Sequence, residues 1–355
     1  MKKKILISTG GSGGHVIPAE IINEHLKNDF EIYFSTDIRG LKYFKFDKNH
    51  TFIINSPNLN INFFFPFKTI KIIFLVFRSM NFLIKNEITK VISTGGYMSL
   101  PVLLGAKILG LKIYLLEPNF VLGRANKFFL NFSEKIFCYT NSLLNFPKKF
   151  LNKMNVINPL VFKKYYEKKT KTHKKNFFCL LVVGGSQGAH FFDNLFKEVN
   201  LEIFKKHSIK VIQQTGADNI ENLKKFYDEN NVENEIFYFK KNLIEFIDEA
   251  DLCITRAGAS TLAELSIMNK PFIAIPLPTA KDNHQFENAN FYQKLDCCWL
   301  IDQNILDKTK LMKLLNGILE NKNEYINKSL NLKKLNDQNL WNNVNQKILE
   351  TINEN

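Results

Sequence analysis

Two stretches decide the fold: Ile5-Leu6-Ile7-Ser8-Thr9-Gly10-Gly11-Ser12-Gly13-Gly14-His15 and Leu180-Leu181-Val182-Val183-Gly184-Gly185-Ser186-Gln187-Gly188-Ala189-His190. Each reads as an apolar strand, then Gly-Gly-Ser or Gly-Gly-Ser-Gln, then a helix. A continuous apolar strand is one buried on both faces, as in a parallel sheet covered by helices. The same opening twice in one chain predicts two doubly wound domains, with a cleft at the carboxyl ends of both sheets.

Working outward, the first half alternates strands and helices. Strands are expected at Lys4–Ser8, Glu31–Ser35, Thr51–Ile54, Val91–Ser93, Ile113–Leu116 and Lys135–Cys138. Helices are expected at Pro18–Leu26, Thr69–Asn86 and Ser99–Leu109, with Pro18 in a first turn, where its missing N–H is not needed. After Asn158-Pro159 the run FKKYYEKKTKTHKKN is polar, basic and without apolar periodicity, and reads as a linker or exposed loop. The pattern then restarts. Strands fall at Phe178–Val183, Lys210–Gln214, Glu235–Tyr238, Asp251–Thr255 and Phe272–Ile275, and helices at His190–Lys206, Ser260–Met268 and Asn283–Lys294. An amphipathic tail follows from about Lys308.

The 355 residues are enough for about two domains, and 45% hydrophobic residues supply two cores. The net charge of +14 fits an anionic partner. It also fits a bias toward Lys and Asn, since only Arg39, Arg78, Arg124 and Arg256 carry guanidinium. The five cysteines form no CxxC pair, which points to free thiols in a reducing compartment. The apolar run Ile5–Ile7 is too short for a signal peptide. No stretch of about 18 uncharged apolar residues is present to span a membrane.

Four loops rich in small residues follow strands: Gly10–Gly14, Thr94-Gly95-Gly96-Tyr97, Gly184–Gly188 and Arg256-Ala257-Gly258-Ala259-Ser260. Small residues let an anion approach backbone N–H groups at the positive end of the next helix, so a nucleotide diphosphate suits them. The dinucleotide pattern G-x-G-x-x-G is incomplete, because Val16 stands in its third glycine place. That gap weakens the reading as an NAD-dependent oxidoreductase, while Asp37, near the place of a ribose-binding acid, keeps it open. No P-loop motif occurs. Asp-x-Asp is absent too, so no obligatory metal and no cofactor are expected.

The segments GGSGGHVIPA (Gly10–Ala19), STGGY (Ser93–Tyr97), EPN (Glu117–Asn119), NP (Asn158-Pro159), GGSQGA (Gly184–Ala189), RAGASTLAE (Arg256–Glu264) and KDNHQ (Lys281–Gln285) stand in the order and spacing of one family. The chain resembles the MurG family of UDP-N-acetylglucosamine transferases, from Lys4 to about Asn290. The resemblance implies an α/β GT-B fold of two Rossmann-like doubly wound parallel-sheet domains facing an interdomain cleft. Residues 1–158 would form an acceptor- and membrane-facing domain and 159–335 the UDP-GlcNAc domain, with a C-terminal helix near 336–355 open to packing on the first. It implies inverting transfer of GlcNAc to the 4-hydroxyl of the muramyl sugar of lipid I, giving lipid II for peptidoglycan, at the cytoplasmic face of the bacterial inner membrane. Other GT-B enzymes that use UDP-sugars, and a non-catalytic membrane-associated binding protein, are the rivals. Nucleic acid is not an expected partner.

By motif, the donor contacts fall on Ser12, Gly13, Gly14, Asn119, Ser186, Gln187, Gly188, Ala259, Ser260, Thr261, Leu262, Ala263, Glu264 and Gln285. Glu264 would accept both ribose hydroxyls, and the Gln285 amide would both donate and accept. Thr94, Gly95, Gly96 and Tyr97 would meet the acceptor. His15, at a helix start that disfavours imidazolium, is the expected general base, with Glu117 the alternative. Leu116 and Pro118 depart from the frequent His-Glu-Gln-Asn, Val161 stands where the family often has Arg, and Lys240 where an apolar residue commonly flanks the uracil. A lipid-linked acceptor also needs a membrane-facing surface. Phe64, Phe65 and Phe67, with Lys68 and Lys71, are the candidates, each cation adding about 1 kcal/mol at an anionic bilayer.

Overall fold

A computed structural model describes residues 2–45, 47–57, 65–168, 176–204, 206–240 and 242–354, with only the backbone of 65, 185–189, 198 and 200. The chain divides into two compact units, Met1–Lys163 with Trp341–Asn355, and Lys164–Leu340.

In the first unit the elements run β1 (Lys4–Ser8), α1 (Gly13–Leu26), β2 (Glu31–Thr36), β3 (Thr51–Ile53), α2 (Phe65–Lys85), β4 (Lys90–Ser93), α3 (Leu100–Ile108), β5 (Lys112–Glu117), α4 (Arg124–Phe129), β6 (Lys135–Cys138) and β7 (Met154–Val156). The sheet order is β3-β2-β1-β4-β5-β6-β7, and every pairing is parallel. Leu6, Val91, Ile113 and Leu115 project from the strands onto Leu75 and Leu83 of α2 and Val102, Leu103 and Ala106 of α3. Gly105 keeps α3 close to α2: a Cβ there would lie 3.2 Å from Met80 Cγ.

Short α5 (Lys163–Glu167) straddles the boundary between the units. The second unit continues β8 (Phe178–Val183), α6 (Gly185–Phe204), β9 (Ile209–Gln214), α7 (Ile220–Glu229), β10 (Glu233–Phe237), α8 (Ile244–Glu249), β11 (Leu252–Thr255), α9 (Ala259–Ile267), β12 (Phe272–Ala274), α10 (His284–Lys294), β13 (Cys298–Leu300), α11 (Lys308–Glu320) and α12 (Lys322–Asn336). Its sheet, also parallel, has the order β10-β9-β8-β11-β12-β13. Leu180, Val182, Phe192, Phe196, Ile254 and Leu311 build its core.

The last helix, α13 (Trp341–Asn353), belongs to the first unit. The Trp341 ring stacks on His25 of α1 at 3.6 Å, and buried Lys90 donates to the Ile352 carbonyl, capping the helix end.

In each sheet the order of the strands reverses once, between β1 and β4 and between β8 and β11. At such a switch point the loops diverge and leave a crevice for a ligand. The four small-residue segments lie at these two places.

The structure corrects several expectations. α1 begins at Gly13, so Pro18 lies inside it and not in its first turn. Two glycines argue against a helix by propensity, but Ser12 in extended backbone receives the first helical N–H groups, from His15 and Val16. α6 begins at Gly185, so most of the second glycine segment is the first turn of a helix and not a loop. Three-residue β7 and β13, and α4, α5, α7 and α8, were not expected; α5, with Tyr165 buried, occupies the start of the run read as a linker or loop.

Candidate active site

At the first switch point His15 sits in the opening turn of α1. Its Nδ1 lies 2.7 Å from the Thr94 carbonyl oxygen. A carbonyl only accepts, so Nδ1 carries the hydrogen and, in the neutral ring, Nε2 carries the lone pair. The ring packs on the Gly95-Gly96 backbone, where a Cβ would come within 3.6 to 3.7 Å of ring atoms. Both glycines have left-handed φ, 87° and 83°, which disfavours any side chain there. Thr94 itself is buried, and its hydroxyl donates to Thr9 Oγ1 at 2.9 Å, so it supports the turn and presents no side chain outward. The Gly13–Gly14 amides open α1 and have no carbonyl partner inside it.

Glu117 ends β5 and is only 3% exposed. Its Oε1 accepts from the Asn119 backbone (3.2 Å) and side chain (3.0 Å), and its Oε2 from Gly123 N–H (2.8 Å) and Asn126 Nδ2 (3.0 Å). A carboxylate with four donors braces its own loop, which argues against the alternative role as base. Through this brace Asn119 is held at the end of β5.

Asp37 is also committed. Oδ1 receives Gly11 N–H at 2.8 Å and Gly40 N–H at 2.9 Å, and Oδ2 receives Arg39 at 2.7 and 2.8 Å. Burial alone would raise its carboxyl, but the hydrogen bonds of Gly11, Arg39 and Gly40 hold it below the ordinary range. An acid so engaged does not receive a nicotinamide cofactor's ribose, which counts against the oxidoreductase reading.

At the second switch point Gly258 precedes α9, whose first internal hydrogen bond runs from Leu262 N–H to the Gly258 carbonyl. The Ala259, Ser260 and Thr261 amides therefore lack partners within the helix and stand at its positive end. Leu262 and Ala263 are buried and serve packing. Glu264 is 6% exposed. Burial pushes its carboxyl up to about 8, against the nearby Tyr165 hydroxyl and Lys164 ammonium, which pull it down. The Tyr165 hydroxyl is itself buried and stops short of a well-formed hydrogen bond.

Gln285 opens α10 beside two left-handed residues, Asp282 and Asn283. Its Oε1 accepts Leu277 N–H at 2.9 Å, which takes one of the two lone pairs of the carbonyl and orients the amide. Backbone at Ser186, Gln187 and Gly188 forms the first turn of α6.

Residue chemistry alone left the role of Arg256 unread. Its guanidinium is 6% exposed, donates to the Ile275 carbonyl at 3.0 Å, and lies 5.0 and 4.8 Å from the Phe191 and Phe192 ring centres. It ties the turn before α9 to β12 and α6, and burial lowers it to about 10. Lys240 lies 3.8 Å over the Phe246 ring and 3.7 Å from Glu235. Among the described residues, no three His, Cys, Asp or Glu side chains group as a metal site.

Away from the switch points, α2 leaves Phe67, Ile70, Ile73, Phe74, Phe77 and Ile84 more than half exposed. Lys71, Arg78 and Lys85 are exposed on the same helix, and Lys68 is half-buried. Phe64 lies outside the described residues, as does the side chain of Phe65. No described helix is long and apolar enough to cross a membrane.

Residues 5–138 match the glycosyltransferase family 28 N-terminal domain and residues 179–344 the family 28 C-terminal domain. The chain is 50% identical, over all of both chains, to the UDP-N-acetylglucosamine--N-acetylmuramyl-(pentapeptide) pyrophosphoryl-undecaprenol N-acetylglucosamine transferase of Pelagibacter ubique (strain HTCC1062). It is 32% identical to the protein of the same name in Rickettsia bellii (strain RML369-C), over 94% of this chain and 95% of that one. Among solved structures, Acinetobacter baumannii MurG superposes with a TM-score of 0.76 at 22% identity over all of both chains. The UDP-GlcNAc 2-epimerase of Neisseria meningitidis, solved with UDP-GlcNAc, gives 0.66 at 14% identity over 99% of this chain and 100% of that one, a likeness of fold alone.

Proposed function

This chain belongs to the MurG family of UDP-N-acetylglucosamine transferases, and we infer from that premise that it moves GlcNAc from UDP-GlcNAc to the muramyl sugar of lipid I, forming lipid II for peptidoglycan. It is a hexosyltransferase built from two Rossmann-like sheets, the pair of folds that defines the GT-B class.

One observation carries the mechanism: the 2.7 Å contact from His15 Nδ1 to the Thr94 carbonyl. It leaves Nε2 of the neutral ring as a base. His15 Nε2 takes the proton from the muramyl 4-hydroxyl as that oxygen attacks the anomeric carbon of GlcNAc. The anomeric C–O bond to UDP breaks, its electron pair stays on the diphosphate, and the anomeric centre inverts to a β-1,4 linkage. General base catalysis of this kind contributes about 10²–10⁴ in rate. The acceptor meets the Gly95–Tyr97 turn, while buried Thr94 holds His15 through its carbonyl.

The second unit supplies the donor half. Amides of Ala259, Ser260 and Thr261, and those opening α6 at Ser186, Gln187 and Gly188, offset the charge growing on the leaving diphosphate. Glu264 receives the two ribose hydroxyls. Gln285 donates its amide hydrogens to the sugar, and Asn119, Ser12, Gly13 and Gly14 are the further donor contacts that the family motifs assign.

The α2 face serves the lipid-linked substrate. Its exposed Phe and Ile side chains enter the headgroup–acyl boundary of the facing leaflet while Lys71, Arg78 and Lys85 meet anionic headgroups. The protein so held is peripheral, on the cytoplasmic face of the inner membrane, where the donor is available.

The test is turnover. Labelled UDP-GlcNAc incubated with a short-chain lipid I analogue should yield the disaccharide lipid and UDP. UDP release that is independent of that acceptor, or transfer only to unrelated acceptors, would remove the assignment.

A further inference from the structure

Two loops of the first unit, following β1 and β2, meet at one buried carboxylate, and Arg39 extends the contact to the loop after β4. Asp37, 4% exposed, holds the Gly11 and Gly40 amides on one oxygen and the Arg39 guanidinium on the other. The backbones leave no room for anything between them: a Cβ on Gly10 would lie 2.8 Å from Asp37 Oδ1, and one on Gly40 3.2 Å from Gly10 Cα. Arg39 Nη2 then donates to the Tyr97 phenolic oxygen at 2.6 Å, with the guanidinium 5.4 Å over the Tyr97 ring.

The donor inventory gives this chain of bonds a direction. Arginine has only donors, so the Tyr97 oxygen accepts and its own hydrogen must point elsewhere. Tyr97 is 37% exposed, so that hydrogen can reach an oxygen of a bound molecule. The same carboxylate also sets the Gly10–Gly14 loop, which carries His15 into α1.

We propose that Arg39, anchored by Asp37, is a positioning residue that presents Tyr97 as a hydrogen-bond donor to a hydroxyl or phosphate oxygen of the acceptor and keeps it in register with the His15 loop. The proposal rests on the reading of Gly95–Tyr97 as the acceptor turn. Arg39 itself touches no reacting atom.

The test compares Arg39→Met, Tyr97→Phe and the double variant in steady-state kinetics, with UDP-GlcNAc and a short-chain lipid I analogue. Each single variant should raise the acceptor KM about tenfold, the loss of one modest hydrogen bond, with the donor KM within about twofold. The double variant should match Tyr97→Phe alone, because Arg39 acts through the phenol. Arg39→Lys, which keeps a donor but loses the fork to Asp37, should fall between and serves if Arg39→Met does not fold. Additive effects in the double variant would overturn the proposal. So would an unchanged acceptor KM in Arg39→Met, or equal losses in both KM values together with a lowered melting temperature. If Tyr97→Phe is also silent, the acceptor reading of the turn fails with it; if only the Arg39 variants are silent, the positioning role alone fails.

Discussion

Replacing Glu264 by Gln separates two effects that the buried carboxyl combines. Burial raises this carboxyl from an ordinary 4.5 to about 8. A raised acid favours folding fully below its unfolded value and loses that contribution as pH climbs through the folded value. At 1.36 kcal/mol per pH unit, a shift of that size removes about 5 kcal/mol between pH 4.5 and pH 8. Glutamine does not titrate, and leaving its amide imperfectly paired costs about 1–3 kcal/mol at every pH. Glu264→Gln should therefore melt below the parent at pH 4.5 and above it at pH 8.5. Donor binding should move the opposite way. Ribose hydroxyls bind the carboxylate, so below pH 8 the donor must also drive off a proton. At pH 7 that costs about 1.4 kcal/mol, a tenfold loss of affinity. Calorimetric titration with UDP-GlcNAc should show affinity rising about tenfold per unit from pH 6 to pH 7 and levelling above about pH 8. The glutamine variant should bind about tenfold or more weakly at pH 8, with no pH slope. A flat profile in the parent, or a variant binding as tightly as the parent at pH 8, would refute the reasoning.

Glu117→Gln should lower the melting temperature by the equivalent of about 2–4 kcal/mol, since one or two of its four buried donors lose their acceptor; a pure base would leave melting unchanged and only slow turnover. Phe74→Ser with Phe77→Ser should cut binding to anionic vesicles roughly 30- to 900-fold, each ring contributing about 1–2 kcal/mol, while turnover on a water-soluble acceptor analogue holds; unchanged sedimentation with vesicles would refute the face. His25, buried under Trp341, is lowered to about 4 by desolvation. Its contribution is present above pH 6.5 and is lost as pH falls through 4, about 3 kcal/mol in all. Trp fluorescence should then report release of α13 near pH 4, and His25→Phe should abolish that step.

Much of the fold was legible because parallel strands buried on both faces are nearly continuous apolar runs, as at Ile5–Ile7 and Leu180–Val183. Strand β7 lacked that signal because Asn155 interrupts it, whereas β13 carries it in the short run Cys297-Cys298-Trp299-Leu300-Ile301. The start of α1 was hidden because Gly13, Gly14 and Pro18 all argue locally for a later beginning, and tertiary placement of Ser12 overrides them. Site residues were legible as types in motifs. Their partners were not: Thr94 lies 79 residues from His15, and nothing local says that its carbonyl faces the imidazole. The same holds for Glu117, whose four donors arrive only when its loop closes, and for Arg256, whose prop against Phe191 and Phe192 is a contact of the folded unit.

A single-turnover comparison tests the core of the account most directly. With both substrates saturating, His15→Ala should form disaccharide lipid about 10²–10⁴ times more slowly than the parent, while its calorimetric affinity for UDP-GlcNAc stays within twofold. A variant that transfers the sugar within threefold of the parent rate would show that the imidazole beside Thr94 is not the base.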